Sequence, residues 1–220
     1  MASNLANLII EAIGYMKALC TSVEKKSLQF GNLHYSKEGE SLHERVNQMA
    51  SEEYAQHFNC KLRHFMPESF SLIESNQIVG CTGLRSAAQE SLFLEQYLDL
   101  NIETALSESF GHSIERQEIV EIGGFALSDS SHALSFMFQL APAFANLGYN
   151  FAVCTLTDPV RKYLNKLGLD TIYLGDADPS KVDTSNEAWG SYYQLKPIVL
   201  AGDINAAVEK IEPFRHFLDH

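Results

Sequence analysis

The sequence has few basic residues for its length. Its 220 residues contain 16 Lys and Arg against 28 Asp and Glu, which gives a formal net charge of −12 at pH 7. Binding to nucleic acid and to anionic lipid both depend on Lys and Arg that meet phosphate groups. The charge balance therefore argues against nucleic acid as a partner and against electrostatic attachment to a membrane.

The chain also lacks long apolar runs. No stretch reaches the ~18 consecutive apolar residues of a membrane-spanning helix, and the start has no basic segment with a small-residue cleavage site. Apolar side chains at helical spacing predict an amphipathic helix at Asn4–Leu19. We expect this helix to dock on its own domain or on a partner, with a membrane-surface role as the less favoured alternative.

Metal-binding and nucleophile motifs are missing as well. The four cysteines form no CxxC or CxxH pair, and the eight histidines show no paired-ligand spacing, so we predict no metal. No Gly-x-Ser-x-Gly step or Cys/His arrangement indicates nucleophilic catalysis. We interpret the cysteines as reduced thiols and expect a cytoplasmic protein; they are Cys20, Cys60, Cys81 and Cys154.

Periodicity and turn residues predict a mixed α/β sheet. Early strands joined by turns precede strand–helix–strand units, an order typical of such sheets. We divide the chain into an N-terminal helix and linker, 1–40, and one domain, 41–220. The predicted strands are Lys61–Phe65, Ser69–Glu74, Gln77–Arg85, Ile119–Leu127, Phe151–Thr157, Thr171–Leu174, Ser191–Gln194 and Pro197–Leu200; the predicted helices are Leu42–His57, Ser91–Leu98, Asn101–Gly111, Ser131–Leu147, Asp158–Gly168 and one capped by Asp203.

Three segments carry a resemblance to a known family. They read SLFLEQYLDLNIE at Ser91–Glu103, IVEIGGFALS at Ile119–Ser128 and WGSYYQLKPIVLAGDI at Trp189–Ile204. Over roughly Leu42 to Ile204 the chain resembles the thermostable hemolysin family. This resemblance implies a GNAT-like fold with a splayed β-sheet flanked by helices, and a more distant likeness to autoinducer synthases.

The resemblance also implies an activity. We expect transfer of an acyl group from a thioester donor, acyl-CoA or an acyl carrier protein, to the amine of a small molecule. Two alternatives stay open: a haemolytic or membrane-active protein, which the family name implies, and a domain that binds an acyl ligand without turnover.

The pair Gly123-Gly124 interrupts a strong strand pattern. Glycine within a strand indicates a bulge or a close backbone approach, although a bulge that only bends the sheet is the alternative. The resemblance implies that the strand from Gly123 and Gly124 through Phe125 and Ala126 meets the pantetheine arm of the donor.

Glu121 precedes this glycine pair among apolar neighbours. Desolvation there would raise its pKa and suit a general base that takes a proton from an amine. The alternative is a structural ion pair with Arg85 or Arg116. Arg85, in TGLRSA, would pair with Glu121 or receive a substrate carboxylate. Autoinducer synthases have an Arg shortly after the acidic residue, and its absence here argues against homoserine-lactone chemistry.

The remaining candidates come from departures from the GNAT pattern. The glycine-rich pyrophosphate loop of those enzymes is missing, and Ser130 and Ser131 either present amides to an anion or only cap a helix. Leu164 stands where many GNAT enzymes have a tyrosine acid, which leaves Tyr192 and Tyr193 as candidates. Strand alternation predicts that one of these two points inward.

On the substrate side we place Glu95, Trp189 and Tyr193. Core packing accounts for the apolar neighbours of Glu95 in LFLEQYL but not for its carboxylate. For Tyr192 and Tyr193, an aromatic core contact is the alternative interpretation.

Overall fold

A computed structural model describes residues 32–182 and 189–213. The helix predicted at Asn4–Leu19, Cys20, residues 21–31 of the predicted linker and residues 183–187 of the polar loop lie outside these ranges. Within these ranges the chain forms seven strands, five α-helices and several short 3₁₀ helices. The strands are β1 Asn32–Lys37, β2 Glu68–Glu74, β3 Gln77–Ser86, β4 Ile119–Leu127, β5 Phe151–Leu156, β6 Ile172–Asp176 and β7 Ile198–Asp203.

The helices follow the predicted order. They are α1 Ser41–Phe58, α2 Ile102–Phe110, α3 Ala133–Asn146, α4 Asp158–Lys166 and α5 Ile204–Ile211. Two of the 3₁₀ helices bear on the site and are named 3₁₀-A, Phe93–Tyr97, and 3₁₀-B, Tyr192–Leu195. Glycine in the left-handed region ends α2 at Gly111, and the Asp203 carboxylate accepts the amide of Ala206 at the start of α5, both as the sequence predicts.

The strands form one sheet in the order β1-β2-β3-β4-β5-β7-β6. Only β4 and β5 run parallel, and every other neighbouring pair is antiparallel. A parallel pair needs a crossover connection, which α3 provides. Helix α1 and the 3₁₀ helices A and B lie on one face of the sheet, and α3 and α5 lie on the other.

Strand β4 separates from β5 halfway along its length. Pairing covers Ile119–Ile122 against Phe151–Cys154, although both strands continue. On its other edge β4 bulges, since Gly123 pairs with Gly83 and Ala126 with Cys81, so that two residues oppose Thr82. Splaying on one edge and a bulge on the other confirm the splayed GNAT-like sheet predicted from the sequence.

Three local predictions are wrong. The segment Lys61–Phe65 is a loop rather than a strand, because Met66 behind it must reach over Gly83 and Gly123. The segment predicted as strand Ser191–Gln194 falls mainly in 3₁₀-B, which positive-φ residues bound on both sides. Residues assigned to the linker form β1, which pairs beside β2 and packs its apolar side chains Leu33 and Tyr35 on the core.

Candidate active site

A cavity of about 710 Å³ passes through the sheet where β4 and β5 separate. On the α1 face five rings share the wall with aliphatic and polar side chains such as Val46, Leu62 and His64; this aromatic half is named for the rings, Tyr54, Phe93, Tyr97, Trp189 and Tyr192. On the α3 face the wall is mainly aliphatic, with two rings, Phe125 and Phe144; this aliphatic half is lined by Met137, Leu140, Ala141, Val160, Leu164 and Ala207. The splay therefore joins two chambers of different chemistry.

Glu121 lies on the cavity wall just before the splay. Its side chain is almost fully buried, and its two carboxylate oxygens accept the amides of Phe93 at 2.8 Å and Leu94 at 2.9 Å. Arg85 Nη1 lies 3.9 Å from the same carboxylate. Burial raises the pKa of Glu121, and the two amides and Arg85 oppose this rise only in part.

Both interpretations of Glu121 find support in this geometry. The carboxylate faces the cavity, as a general base must, and Arg85 is its ion-pair neighbour while Arg116 is not. Arg85 also lines the cavity, with its Nε 3.2 Å from the half-exposed carboxylate of Glu90. Glu121 and Arg85, which the sequence analysis pairs, therefore lie next to each other on the cavity wall.

Glu95 lies away from the cavity wall and serves the fold. Its carboxylate accepts the amides of Leu92 at 2.7 Å and Ile102 at 2.9 Å, and two hydrogen bonds from Arg116 at 2.8 and 3.1 Å. Burial acts to raise the pKa of Glu95, but the hydrogen bonds from Arg116 and the two amides outweigh it and lower the pKa. Glu95 therefore caps both 3₁₀-A and α2 instead of reaching toward a substrate.

The two adjacent glycines of β4 differ in what surrounds them. A Cβ on Gly123 would lie 2.5 Å from Met66 Cε, and one on Gly83, its partner across the strands, 3.0 Å from Met66 Cβ. Gly124 has φ +59° and nothing within 4 Å of a Cβ. Gly123 thus accommodates a methionine of the protein itself, and Gly124 leaves space in the cavity wall that a ligand can use.

The next two residues of β4, Phe125 and Ala126, also differ in whether they reach the cavity. Phe125 lines the cavity on the α3 face, where its ring stacks on Phe136 at 5.4 Å. Ala126 is buried on the opposite face against Val46 and Ala50 of α1 and does not line the cavity. The bulge turns Phe125 to the aliphatic half and leaves Ala126 in the core.

Ser130 and Ser131 do not reach the cavity either. They begin a 3₁₀ helix before α3, and the cap is Asp129, whose carboxylate accepts the amide of Ser131 at 2.8 Å. A carboxylate already occupies this helix start, so the anion site considered for the two serines is replaced by a capped N-terminus.

The motif that begins at Trp189 places its rings at the cavity. The Tyr192 hydroxyl donates to the backbone carbonyl of Thr155 at 3.3 Å, just beyond the last β5 residue paired with β4. Burial raises the pKa of Tyr192 well above its usual range, which keeps its hydroxyl protonated. Tyr193 lies behind the wall, where its hydroxyl is 2.6 Å from that of Tyr97. Both tyrosines point inward because 3₁₀-B replaces the predicted strand.

Gly190 allows the segment that carries Trp189 and Tyr192 to pack closely against the last residue of α1. Its φ is +53°, and a Cβ there would lie 1.9 Å from the carbonyl oxygen of Phe58, the same oxygen that accepts the amide of Ser191 at 2.8 Å. Only glycine allows this close approach. The Trp-Gly-Ser step thereby holds Trp189 and Tyr192 against the cavity.

Sequence reasoning missed several wall residues. Tyr54 carries a signal in hindsight, because Asn47, Ala50 and Tyr54 share one helical face and all line the cavity. Phe93 was attributed to core packing alone. Cys154 also lines the cavity, and burial raises the pKa of its thiol to about 12, so it is no thiolate nucleophile at neutral pH.

Within the described ranges, no group of three or more His, Cys, Asp and Glu side chains is placed to hold a metal ion. The same residues include no helix long and apolar enough to cross a membrane. Among the described residues, Cys60, Cys81 and Cys154 form no disulfide.

Solved structures with a similar fold share little sequence with this chain. The acyl-homoserine lactone (AHL) synthase LasI matches with a TM-score of 0.54 and 15% identity, covering 82% of this chain and 93% of its own. The CoA-dependent acyl-homoserine lactone synthase BjaI, with SAM and isopentyl-CoA, gives 0.55 at 11% identity, covering 82% and 87%. FeeM, an N-acyl amino acid synthase from uncultured soil microbes, gives 0.55 at 10% identity, covering 80% and 98%.

These likenesses show the fold, which the chain shares with acyl-homoserine lactone synthases and an N-acyl amino acid synthase. The thermostable hemolysin family model matches residues 36–208, so the chain belongs to that family. A search of curated proteins found no match.

Proposed function

We propose that this protein is an N-acyltransferase that moves an acyl group from a thioester donor to the amine of a small molecule. The observation that carries the proposal is the cavity through the splay, where a buried carboxylate and a protonated phenol border the gap between β4 and β5. The fold agrees, since the similar structures include an acyl-homoserine lactone synthase and an N-acyl amino acid synthase.

The donor's acyl chain fits the aliphatic half. Apolar side chains of α3, α4 and α5 line it, and burial of a methylene group contributes about 0.8 kcal/mol. With the chain there, the thioester carbonyl lies in the splay beside Gly124, whose missing side chain leaves room for the pantetheine arm. The amine then approaches from the aromatic half.

Glu121 and Tyr192 take the proton-transfer roles. The amine nitrogen forms a bond to the thioester carbon, the carbon–sulfur bond breaks, and Glu121 receives the amine proton directly or through water. Tyr192, held protonated by burial, donates a proton to the leaving thiolate. Arg85 lies within reach of Glu121 and favours its ionised form.

Coenzyme A and an acyl carrier protein both remain donors to test. The Asp129 carboxylate at the start of α3 disfavours a pyrophosphate at that position, which weakens the case for coenzyme A bound in the usual GNAT manner. Cys60, Cys81 and Cys154 form no disulfide among the described residues, which fits a reducing compartment, and we place the reaction in the cytoplasm.

The test measures thiol release and N-acyl product by mass spectrometry with acyl-CoA and acyl carrier protein donors of several chain lengths and a panel of primary amines. We expect amine-dependent thiol release with at least one donor class. Thermal-shift titration with the same donors measures binding separately. Donor binding with no product would leave an acyl-ligand-binding domain, and no binding at any chain length would contradict the proposal.

A further inference from the structure

Five aromatic rings form a continuous band along the aromatic half. In order they are Tyr54, Tyr192, Trp189, Phe93 and Tyr97, with successive ring centroids 6.4, 5.6, 5.9 and 5.9 Å apart. All five line the cavity, and three separate elements supply them or hold them in place: α1, 3₁₀-A and the segment that leads into 3₁₀-B. The band is therefore a built surface and not a chance pair of rings.

Two of the three tyrosine hydroxyl groups of the band are hydrogen-bonded within the protein. Tyr192 donates to the backbone of β5, and the Tyr97 hydroxyl meets that of Tyr193 behind the wall. The Trp189 Nε1 atom is buried and has no hydrogen-bond acceptor among the described residues. What the band offers to a ligand is aromatic surface.

The two halves of the cavity differ in their preferred ligands. A flexible acyl chain fits the aliphatic half, where methionine, leucine, valine and alanine side chains dominate. Aromatic rings pack preferentially on other rings, edge to face or offset, so the aromatic half selects a flat group. Glu121 adjoins the band at Phe93, whose amide its carboxylate accepts.

We propose that the acceptor is an arylalkylamine, a primary amine joined through a short alkyl link to an aromatic ring, without a carboxylate. The inference rests on the proposed function and names its acceptor. The ring packs on the aromatic band while the amine reaches Glu121 at the splay. Arg85 lies 3.2 Å from the carboxylate of Glu90 and 3.9 Å from that of Glu121, so two carboxylates already face this one guanidinium group and a third, from a substrate, would be repelled there.

The only tryptophan of the chain, Trp189, reports binding without any turnover. Its fluorescence is titrated with phenethylamine and with 2-cyclohexylethylamine, which has the same connectivity but no aromatic ring. We expect phenethylamine to bind about tenfold more tightly, a difference of about 1.4 kcal/mol. Phe93→Leu keeps the reporter, removes one ring of the band and should shrink the ratio toward one.

Tyr149→Leu is the matched control, since Tyr149 packs on the opposite face and does not line the cavity. It should leave the ratio unchanged. Equal affinities for the two amines, or a ratio that survives Phe93→Leu, would overturn the proposal.

Acylation assays with phenethylamine, 2-cyclohexylethylamine and phenylalanine complete the test. Faster acylation of phenethylamine than of either alternative supports the proposal. Equal acylation of the two amines, or faster acylation of phenylalanine, refutes the acceptor class while the N-acyltransferase function stands. Acylation of no amine, despite donor binding, refutes the proposed function itself.

Discussion

Glu95 and Glu121 are two carboxylates at the same 3₁₀ helix with different surroundings. Each accepts two backbone amides near 3₁₀-A. Glu95 also receives two direct hydrogen bonds from Arg116, whereas the nearest guanidinium nitrogen to Glu121 is 3.9 Å away. The pKa of Glu95 is lowered and that of Glu121 is raised.

The comparison shows how the surroundings of two carboxylates determine which of them is available to a ligand. A cation in direct contact saturates Glu95 and leaves it no role beyond holding 3₁₀-A and α2 together. Glu121 is buried without such a contact and borders open space, so it is able to exchange a proton with a ligand. Residue type and sequence position do not distinguish the two.

The largest expected effect is on turnover. Glu121→Gln removes the proposed base and should lower kcat on the order of 10²- to 10⁴-fold with little change in donor affinity. In this variant the NH₂ group of Gln replaces one acceptor oxygen and faces a backbone N–H of 3₁₀-A, so that one hydrogen bond is lost. We therefore expect the free energy of unfolding to fall by about 1–3 kcal/mol. Turnover is therefore measured per folded molecule, at a temperature below the unfolding transition of the variant.

Glu95→Gln is the matched control for that experiment, because it perturbs the same 3₁₀ helix from outside the cavity. It should lose stability and keep turnover within a few fold of the wild type. Wild-type turnover in Glu121→Gln would make Glu121 a structural residue like Glu95, and an equal loss in both variants would trace the effect to 3₁₀-A.

The next effect is on stability. Arg116→Ala leaves the partly buried carboxylates of Glu95 and Glu103 without their shared cation and should cost about 2 kcal/mol of the free energy of unfolding. Urea unfolding measures the loss. Arg161→Ala, which removes an exposed pair with Asp158, should change stability by less than about 0.5 kcal/mol. Similar losses in both variants would contradict the structural role of the Glu95 site.

The sequence predicts the element order and the splay well, because periodicity and a glycine pair are local signals. It also groups Glu121 with Arg85 and selects Tyr192. Local patterns do not say which buried carboxylate receives a direct guanidinium contact. Arg116 stands 21 residues from Glu95, and only the fold brings them together.

The sequence also predicts the aromatic wall of the cavity incompletely, again because the fold and not a local pattern brings its residues together. Strand alternation wrongly separated Tyr192 from Tyr193, because the positive φ of Gly190 and Lys196 bounds a 3₁₀ helix where the pattern suggested a strand. Tyr54 comes to the cavity from α1, more than a hundred residues before Trp189, so no motif connects them.

A smaller effect is expected on donor affinity when Gly124 in the cavity wall is substituted. Gly124→Val places a side chain in the cavity wall and should weaken binding of an acyl thioester about tenfold, about 1.4 kcal/mol. Part of any effect comes from backbone strain at φ +59°. Gly148→Val carries similar strain at φ +90°, also in open space, but lies outside the cavity and should leave donor affinity unchanged. Equal donor affinity in the two variants would place the pantetheine arm elsewhere.

The smallest expected effect is on how stability depends on pH, where the two glutamates should act in opposite directions. The folded-state pKa of Glu95 lies below the ordinary value of 4.5, so its contribution is present above pH 4.5 and is lost as the pH falls through the lowered pKa. The folded-state pKa of Glu121 lies above 4.5, so its contribution is present below pH 4.5 and is lost as the pH rises through the raised pKa. Measured against Glu95→Gln, the wild type should gain stability as the pH rises toward 4.5. Measured against Glu121→Gln, it should lose stability as the pH rises beyond 4.5. Two difference curves with the same sign would mean that the amides of Phe93 and Leu94 outweigh burial at Glu121, and the contrast between the two sites would disappear.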